Sequence, residues 1–261
     1  MRGLWKRFDA KVAVAGIDID IPRGCFFGLV GPNGAGKTTT IRMLTGLLRP
    51  DGGQVWVEGF DVWRDPVGAK ARTGVLPDEF KLFDRLTGPE LLNYCGLLRG
   101  MPPSVVAART DDLLAVLDLA SAGGTLVIDY STGMRKKIAL AAALLHAPPV
   151  LFLDEPFESV DPVSTHAIRG VLEHFTDGGG TVVFSSHVME VVERLCDRVG
   201  VMNEGRLIAE GAIDDLRAGR RLEDVFIELV GARTTDSGAL AWLGGHSRSP
   251  TPPPPQAPAD G

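Results

Sequence analysis

Cysteine is scarce. The chain has three in 261 residues, Cys25, Cys95 and Cys196, scattered, odd in number and without a C-x-x-C pair. That excludes a disulfide framework and a thiolate zinc site, fits a reducing compartment, and leaves the three as small buried hydrophobes. Long apolar runs are missing too: no uninterrupted stretch reaches the roughly 18 residues that a membrane-spanning helix needs. The opening Met1-Arg2-Gly3-Leu4 holds no signal-peptide core, so any membrane has to be crossed by another chain. Positive charge is in deficit, with 27 Lys and Arg against 33 Asp and Glu and a net charge of −6. No summed positive field gathers nucleic acid or anionic lipid, and a polyanion has to be bound locally. What the chain does have is apolar mass, 44 % hydrophobic residues, enough for one ample core or a core with an inserted subdomain.

Short apolar runs bounded by Gly or Pro, at Phe26–Val30, Val150–Leu153 and 181–184, alternate with longer helical patterns. This predicts an α/β fold with a mainly parallel sheet. Thr87-Gly88-Pro89-Glu90 is a capping box that opens a helix, and Leu- and Ala-rich helical pattern continues to His146. A helical subdomain inserted over about 79–148 is therefore expected within one domain spanning 1–230, followed by an extension at 231–246. Residues 247–261 hold Pro250, prolines at 252–255 and Pro258 with almost nothing apolar to bury, the composition of a disordered tail.

Gly31-Pro32-Asn33-Gly34-Ala35-Gly36-Lys37-Thr38 satisfies G-x-x-x-x-G-K-[ST], with a predicted strand before it and a helical pattern from 38 toward 48 after it. Glycines let successive backbone N–H groups turn inward around phosphate oxygens, and the helix N-terminus adds partial positive charge. Lys37 then reaches the β- and γ-phosphates of a nucleotide and Thr38 offers its hydroxyl to Mg²⁺, with Thr39 beside it in the same cradle. Val150-Leu151-Phe152-Leu153-Asp154-Glu155 is an apolar strand ending in two carboxylates, where an open α/β sheet presents its ligand groups. Asp154 is the expected holder of Mg²⁺ through its water shell. Glu155 is placed to accept a proton from the water that attacks the γ-phosphate.

Tyr130-Ser131-Thr132-Gly133-Met134, about twenty residues before Asp154, resembles the signature motif L-S-G-G-Q of ATP-binding cassette (ABC) proteins. In the same family order, Phe8 resembles the aromatic that stacks on adenine, Asp161 the D-loop aspartate and His187 the switch histidine. The resemblance spans roughly 4–215 and implies a P-loop NTPase core with an added antiparallel β subdomain. Ser131 and Gly133 open a helix, so a hydroxyl and free N–H groups point at an anion. The resemblance makes that anion the γ-phosphate held by an opposite subunit. One P-loop and one signature per chain then imply two ATPs across a dimer interface, equivalent if the dimer is of identical subunits. Asp161-Pro162 reads as an N-cap with Pro at N1, opening a helical pattern over 163–175. His146, His166, His174 and His246 have no such context and are expected at the surface.

The chain departs from the family in three places. Asp78, in Leu76-Pro77-Asp78-Glu79, stands where a Gln usually touches Mg²⁺ and water; it can still accept a metal-water hydrogen bond but adds negative charge and lacks the amide donor, which predicts slower or more tightly gated hydrolysis. Thr132 replaces the first signature glycine, and Glu158-Ser159-Val160 replaces a run of small residues. The resemblance implies the ATP- and Mg²⁺-using subunit of a transporter, peripheral to the cytoplasmic face of the cell membrane through separate integral permease subunits, with no nucleic acid partner. The loop over 78–86 and the helix after it are the implied docking surface. The signature, the compact length and Leu222-Glu223-Asp224-Val225-Phe226-Ile227 are similar to the single-cassette ATPases of ABC-2-type exporters. A non-transport ABC ATPase, or a regulatory module that uses ATP only to dimerise, stays open at this point.

Overall fold

A hairpin of β1 (Arg2–Phe8) and β2 (Lys11–Ile17) opens the computed structural model, which describes residues 1–78 and 83–231. β3 (Phe26–Val30), buried at all five positions, then enters the core and hands over to α1 (Lys37–Leu44). This helix stops short of the expected 48, because Gly46 at φ 71° turns the chain away. β4 (Gly52–Gln54) returns to the free edge of β1 and completes an antiparallel sheet of order β2-β1-β4. A ribbon of β5 (Trp56–Val57) and β6 (Phe60–Asp61) and the short α2 (Pro66–Ala71) lead to β7 (Thr73–Leu76).

Between β7 and β8 (Val150–Leu153) lie α3 (Gly88–Leu98), α4 (Pro103–Val116) and α5 (Thr132–Leu144). α3 starts where its capping box starts: the Glu90 N–H donates to Thr87 Oγ1 at 3.4 Å and the Thr87 N–H donates to Glu90 Oε2 at 2.8 Å. After β8 come α6 (Pro162–Asp177), β9 (Thr181–Ser186), α7 (Met189–Leu195), β10 (Arg198–Asn203), β11 (Arg206–Ala212), α8 (Ile213–Arg217) and α9 (Leu222–Val230). No described helix is long and apolar enough to cross a membrane. Residues 79–82 of the loop after Asp78, the extension after Gly231, His246 and the proline-rich tail lie outside the described residues.

The central sheet has the order β11-β10-β3-β9-β8-β7, parallel throughout except for the antiparallel edge strand β11. Successive side chains of a strand point to opposite faces, and the core divides accordingly. Phe26, Val30, Leu151, Leu153, Val182 and Phe184 pack toward the layer of α5, α6 and α7. Phe27, Leu29, Phe152 and Val183 pack toward α1 and the antiparallel sheet. Each such side chain contributes about 1.5–3 kcal/mol by leaving water. The Phe184 ring is met edge-on by Phe26 at 5.5 Å and by Phe157 at 6.0 Å between centroids. The P-loop thus leaves β3, Asp154 and Glu155 leave β8, and His187 leaves β9. These are three adjacent strands whose carboxyl ends share one edge.

His146 corrects one expectation. It is half-buried at the end of α5, its Nε2 is 3.1 Å from the Thr73 carbonyl oxygen, and its Nδ1 is buried without a partner. Burial, reinforced by the charge of Arg99, pushes its pKa down to about 4, so the ring is neutral at physiological pH. His166 and His174 are exposed as expected. Cys25 and Cys196 are buried, whereas Cys95 is only partly so.

Candidate functional site

The loop 31–36 is fixed by close backbone approach. A Cβ on Gly31 would lie 2.4 Å from the Met202 carbonyl oxygen of β10, and one on Gly36 would lie 2.4 Å from the Ala13 carbonyl oxygen of β2. Gly36 also sits at φ 103°, a conformation that side chains rarely adopt, and from there it caps α1 without any side chain bonding the first-turn N–H groups. Those donors are left for an anion. Lys37, buried, folds back over the loop: its Nζ donates to the Gly31 carbonyl at 2.8 Å and to that of Pro32 at 3.3 Å, and lies 3.5 Å from Glu155 Oε1.

Asp154 is 1 % exposed. Its Oδ1 accepts from Ser185 Oγ at 2.6 Å and from Thr38 Oγ1 at 3.1 Å, while Oδ2 is buried with no partner. Burial raises its pKa; the two hydroxyls oppose this, and the charges of Asp78 and Glu155 add to it. An orphaned carboxylate oxygen beside a threonine hydroxyl is an arrangement that a hard cation would satisfy.

Glu155 stands next to it with φ 46°, in the left-handed region where a side chain costs about 1–2 kcal/mol. The Glu155 N–H donates to Ser185 Oγ at 2.9 Å, and Oε2 lies 3.0 Å from His187 Nδ1. Glu155 is therefore held between a lysine and a histidine delivered by neighbouring strands. Ser185 was not singled out from the sequence, although its hydroxyl ties both acidic residues together; a Ser-Ser pair at a strand end gives no cue to this. Lys136, in a basic run that suggests a solvated helix face, is also at the site: buried, its Nζ reaches the carbonyl oxygens of Glu155 at 2.5 Å and Glu158 at 2.8 Å.

Lys37 and Glu155 open on a cleft of about 430 Å³ lined also by Phe8 and Lys11 of the first hairpin, P-loop residues over 33–39, and the carboxylates Asp78 and Glu158. Phe8 is 46 % exposed, with Lys6 Nζ 5.5 Å from its ring centroid. Ser131, Gly133 and Asp161 do not line the cleft and form a second patch. Ser131 N-caps α5, its Oγ accepting from the Met134 N–H at 3.2 Å, which leaves its own proton free to donate. Asp161 N-caps α6, its Oδ1 accepting from the Ser164 N–H at 2.9 Å. The helix begins at Pro162, as the Asp-Pro pair indicates, and runs two residues past 175.

A Cβ on Gly133 would lie 2.6 Å from Ser164 Oγ and 2.7 Å from Asp161 Oδ2, so this glycine brings the N-termini of α5 and α6 together. Gly133→Ala is expected to overpack that junction and lose about 1–3 kcal/mol, read as a lower melting temperature of the nucleotide-free protein. An unchanged melting temperature would show that Ser164 and Asp161 turn aside freely.

The sequence pattern of the family described as ABC transporter matches residues 14–158. The chain is 40 % identical over 229 residues to the daunorubicin resistance ATP-binding protein DrrA3 of Streptomyces coeruleorubidus, covering 87 % of this chain and 72 % of that protein. It is 40 % identical over 226 residues to the Nod factor export ATP-binding protein I of Paraburkholderia xenovorans (strain LB400), covering 87 % and 74 % respectively. The fold superposes on a solved ATP-binding subunit of an ABC transporter with a TM-score of 0.81 at 28 % identity, over 87 % of this chain and 97 % of the other. With a glycine-rich loop running into a helix N-terminus, a paired acid and histidine at the ends of adjacent strands, and these relatives, the chain belongs to the ABC transporter family, as an ATP-binding subunit that hydrolyses ATP to drive transport.

Proposed function

We propose that this chain powers export of a small molecule through separate integral membrane subunits, by binding and hydrolysing Mg²⁺-ATP between two copies of itself at the cytoplasmic face of the cell membrane. The observation that carries the reading is Glu155, held 3.5 Å from Lys37 and 3.0 Å from His187 beside the P-loop cleft.

In this reading adenine stacks on Phe8, and the triphosphate lies on the N–H groups of 31–39. Lys37 exchanges its two loop carbonyls for the β- and γ-phosphates. Thr38 and the unpartnered oxygen of Asp154 would hold Mg²⁺, which supplies neutralisation of phosphate charge. Among the described residues no group of three or more acidic, His or Cys side chains could hold a metal alone, which suits an ion that takes its other ligands from water and phosphate. Glu155 takes a proton from the attacking water as the bond from the γ-phosphorus to the β,γ-bridging oxygen breaks. His187 fixes the rotamer of that carboxylate from one ring nitrogen and supports the γ-phosphate from the other. Asp78, partly buried at the cleft wall, would accept a hydrogen bond from the ion's water shell and would add negative charge beside the phosphates.

Ser131 and the N–H groups around Gly133 lie outside this cleft and serve the nucleotide of the second copy, with Asp161 at the same junction. Export rests on relatives named for daunorubicin resistance and Nod factor export. In solution, Mg²⁺ and a slowly hydrolysed ATP analogue are expected to double the 27.8 kDa mass of the chain. A single-chain mass with the analogue bound would overturn the two-copy site. Vesicles containing the cognate membrane subunits are expected to move cargo only with hydrolysable ATP, and outward relative to the ATPase face. Movement in the opposite direction would overturn export.

A further inference from the structure

We infer that Lys136 is a positioning residue, which clasps the turn after β8 from helix α5 and so holds the carboxylate of Glu155 in its reacting place; this rests on the proposed role of Glu155. The side chain is 6 % exposed although it belongs to the run Arg135-Lys136-Lys137. Among the described residues its ammonium forms no direct ion pair; instead it donates to two backbone carbonyls three positions apart, those of Glu155 and Glu158. Burial lowers its pKa, while Glu158, Asp78, Glu155 and Asp154 surround it and favour the charged form.

A cation spent on two carbonyls has to be explained by what those carbonyls belong to. The Glu158 N–H also donates to the Glu155 carbonyl at 3.2 Å, closing a turn over 155–158 that opens on Glu155, left-handed at φ 46° without being glycine, and is followed at once by a second such residue, Ser159 at φ 56°. Left alone, such a turn relaxes, and relaxation at residue 155 swings its carboxylate away from Lys37 and His187. The Lys136 ammonium holds both ends of the turn at once. Its helix is anchored to the same segment a second time, at Gly133 against Asp161 and Ser164. The helix end that carries Ser131 is thereby tied to the carboxylate of its own chain's cleft.

The test uses the full chain with Lys136→Met, which keeps the stem and removes the donors, and Lys136→Gln, which keeps an amide donor. Turnover is counted per ATP-binding site, so that misfolded protein drops out. Lys136→Met is expected to lose tenfold or more in kcat with KM for ATP within threefold of wild type, and Lys136→Gln to recover part of the loss. In a Glu155→Gln background, single-turnover hydrolysis should fall little further on adding Lys136→Met, because the group being positioned is already disabled. Should Lys136→Met yield no folded protein, Lys136→Gln decides alone: a reduced kcat without a KM change supports the clasp, and a wild-type kcat overturns it. Wild-type kcat in Lys136→Met, or losses that multiply fully with Glu155→Gln, would overturn the inference and leave Glu155's role standing. Wild-type turnover of Glu155→Gln alone would remove the role of Glu155 instead.

Discussion

Glu155→Gln is expected to slow phosphate release by about 10²–10⁴-fold, a barrier increase of about 3–5 kcal/mol, while ATP remains bound. The amide occupies the same volume and can still meet His187, and the left-handed backbone and the bond from the residue 155 N–H to Ser185 do not depend on the side chain. What is lost is the capacity to take a proton from water. The loss should therefore fall on kcat, with the affinity for Mg²⁺-ATP unchanged or increased, because one negative charge leaves a cleft that carries Asp78 and Glu158 besides, with Asp154 buried next to it. Single-turnover hydrolysis beside equilibrium ATP binding separates the two quantities. A variant that hydrolyses within a few-fold of wild type would show that another group accepts the proton.

Lys37→Ala is expected to weaken ATP binding by about 10²–10³-fold, and turnover at fixed ATP falls with it. A charge-assisted hydrogen bond contributes about 1.5–3 kcal/mol, and Lys37 is placed to make such bonds with both the β- and γ-phosphates. Its removal also leaves the Glu155 carboxylate, 3.5 Å from Nζ in the free protein, facing the triphosphate without a counterion. The fold also loses a contact, because Lys37 donates to the buried Gly31 carbonyl and the partly buried Pro32 carbonyl, and alanine leaves both without that donor. Titration calorimetry with Mg²⁺-ATP, paired with a thermal melt, checks both halves. Full affinity in a folded variant would remove the phosphate-cradle assignment.

The legible parts of this protein are those in which a few consecutive residues do the work. Gly31 to Thr38 reads as a cradle because tight turn, helix start, cation and hydroxyl all lie within eight positions, and Thr87 and Asp161 announce their helices because caps are local. Parallel strands buried on both faces leave an apolar run, so β3, β8 and β9 were visible. Chemistry made by distant segments was not. Lys136 sits in a basic run that signals solvent, and only the approach of the turn after β8 buries it. His146 is drawn inward by Thr73, 73 positions away. In the sequence Gly133 only marks the opening of a helix toward an anion, yet it also provides the room in which α5 meets α6. Asp78 reached the cleft as its position suggested, while four residues of the loop that follows lie outside the described residues.

The separation of Ser131 and Gly133 from the cleft has a quantitative outcome for the proposed two-copy site. A solitary chain owns half of each reaction centre, so the rate of dilute protein should grow as the square of its concentration rather than in proportion to it. Membrane subunits that each grip one copy replace that bulk concentration with an effective one set by their own spacing, in the millimolar range for short tethers. The permease then acts as a scaffold as well as a channel: free copies idle, and ATP is spent where cargo can be moved.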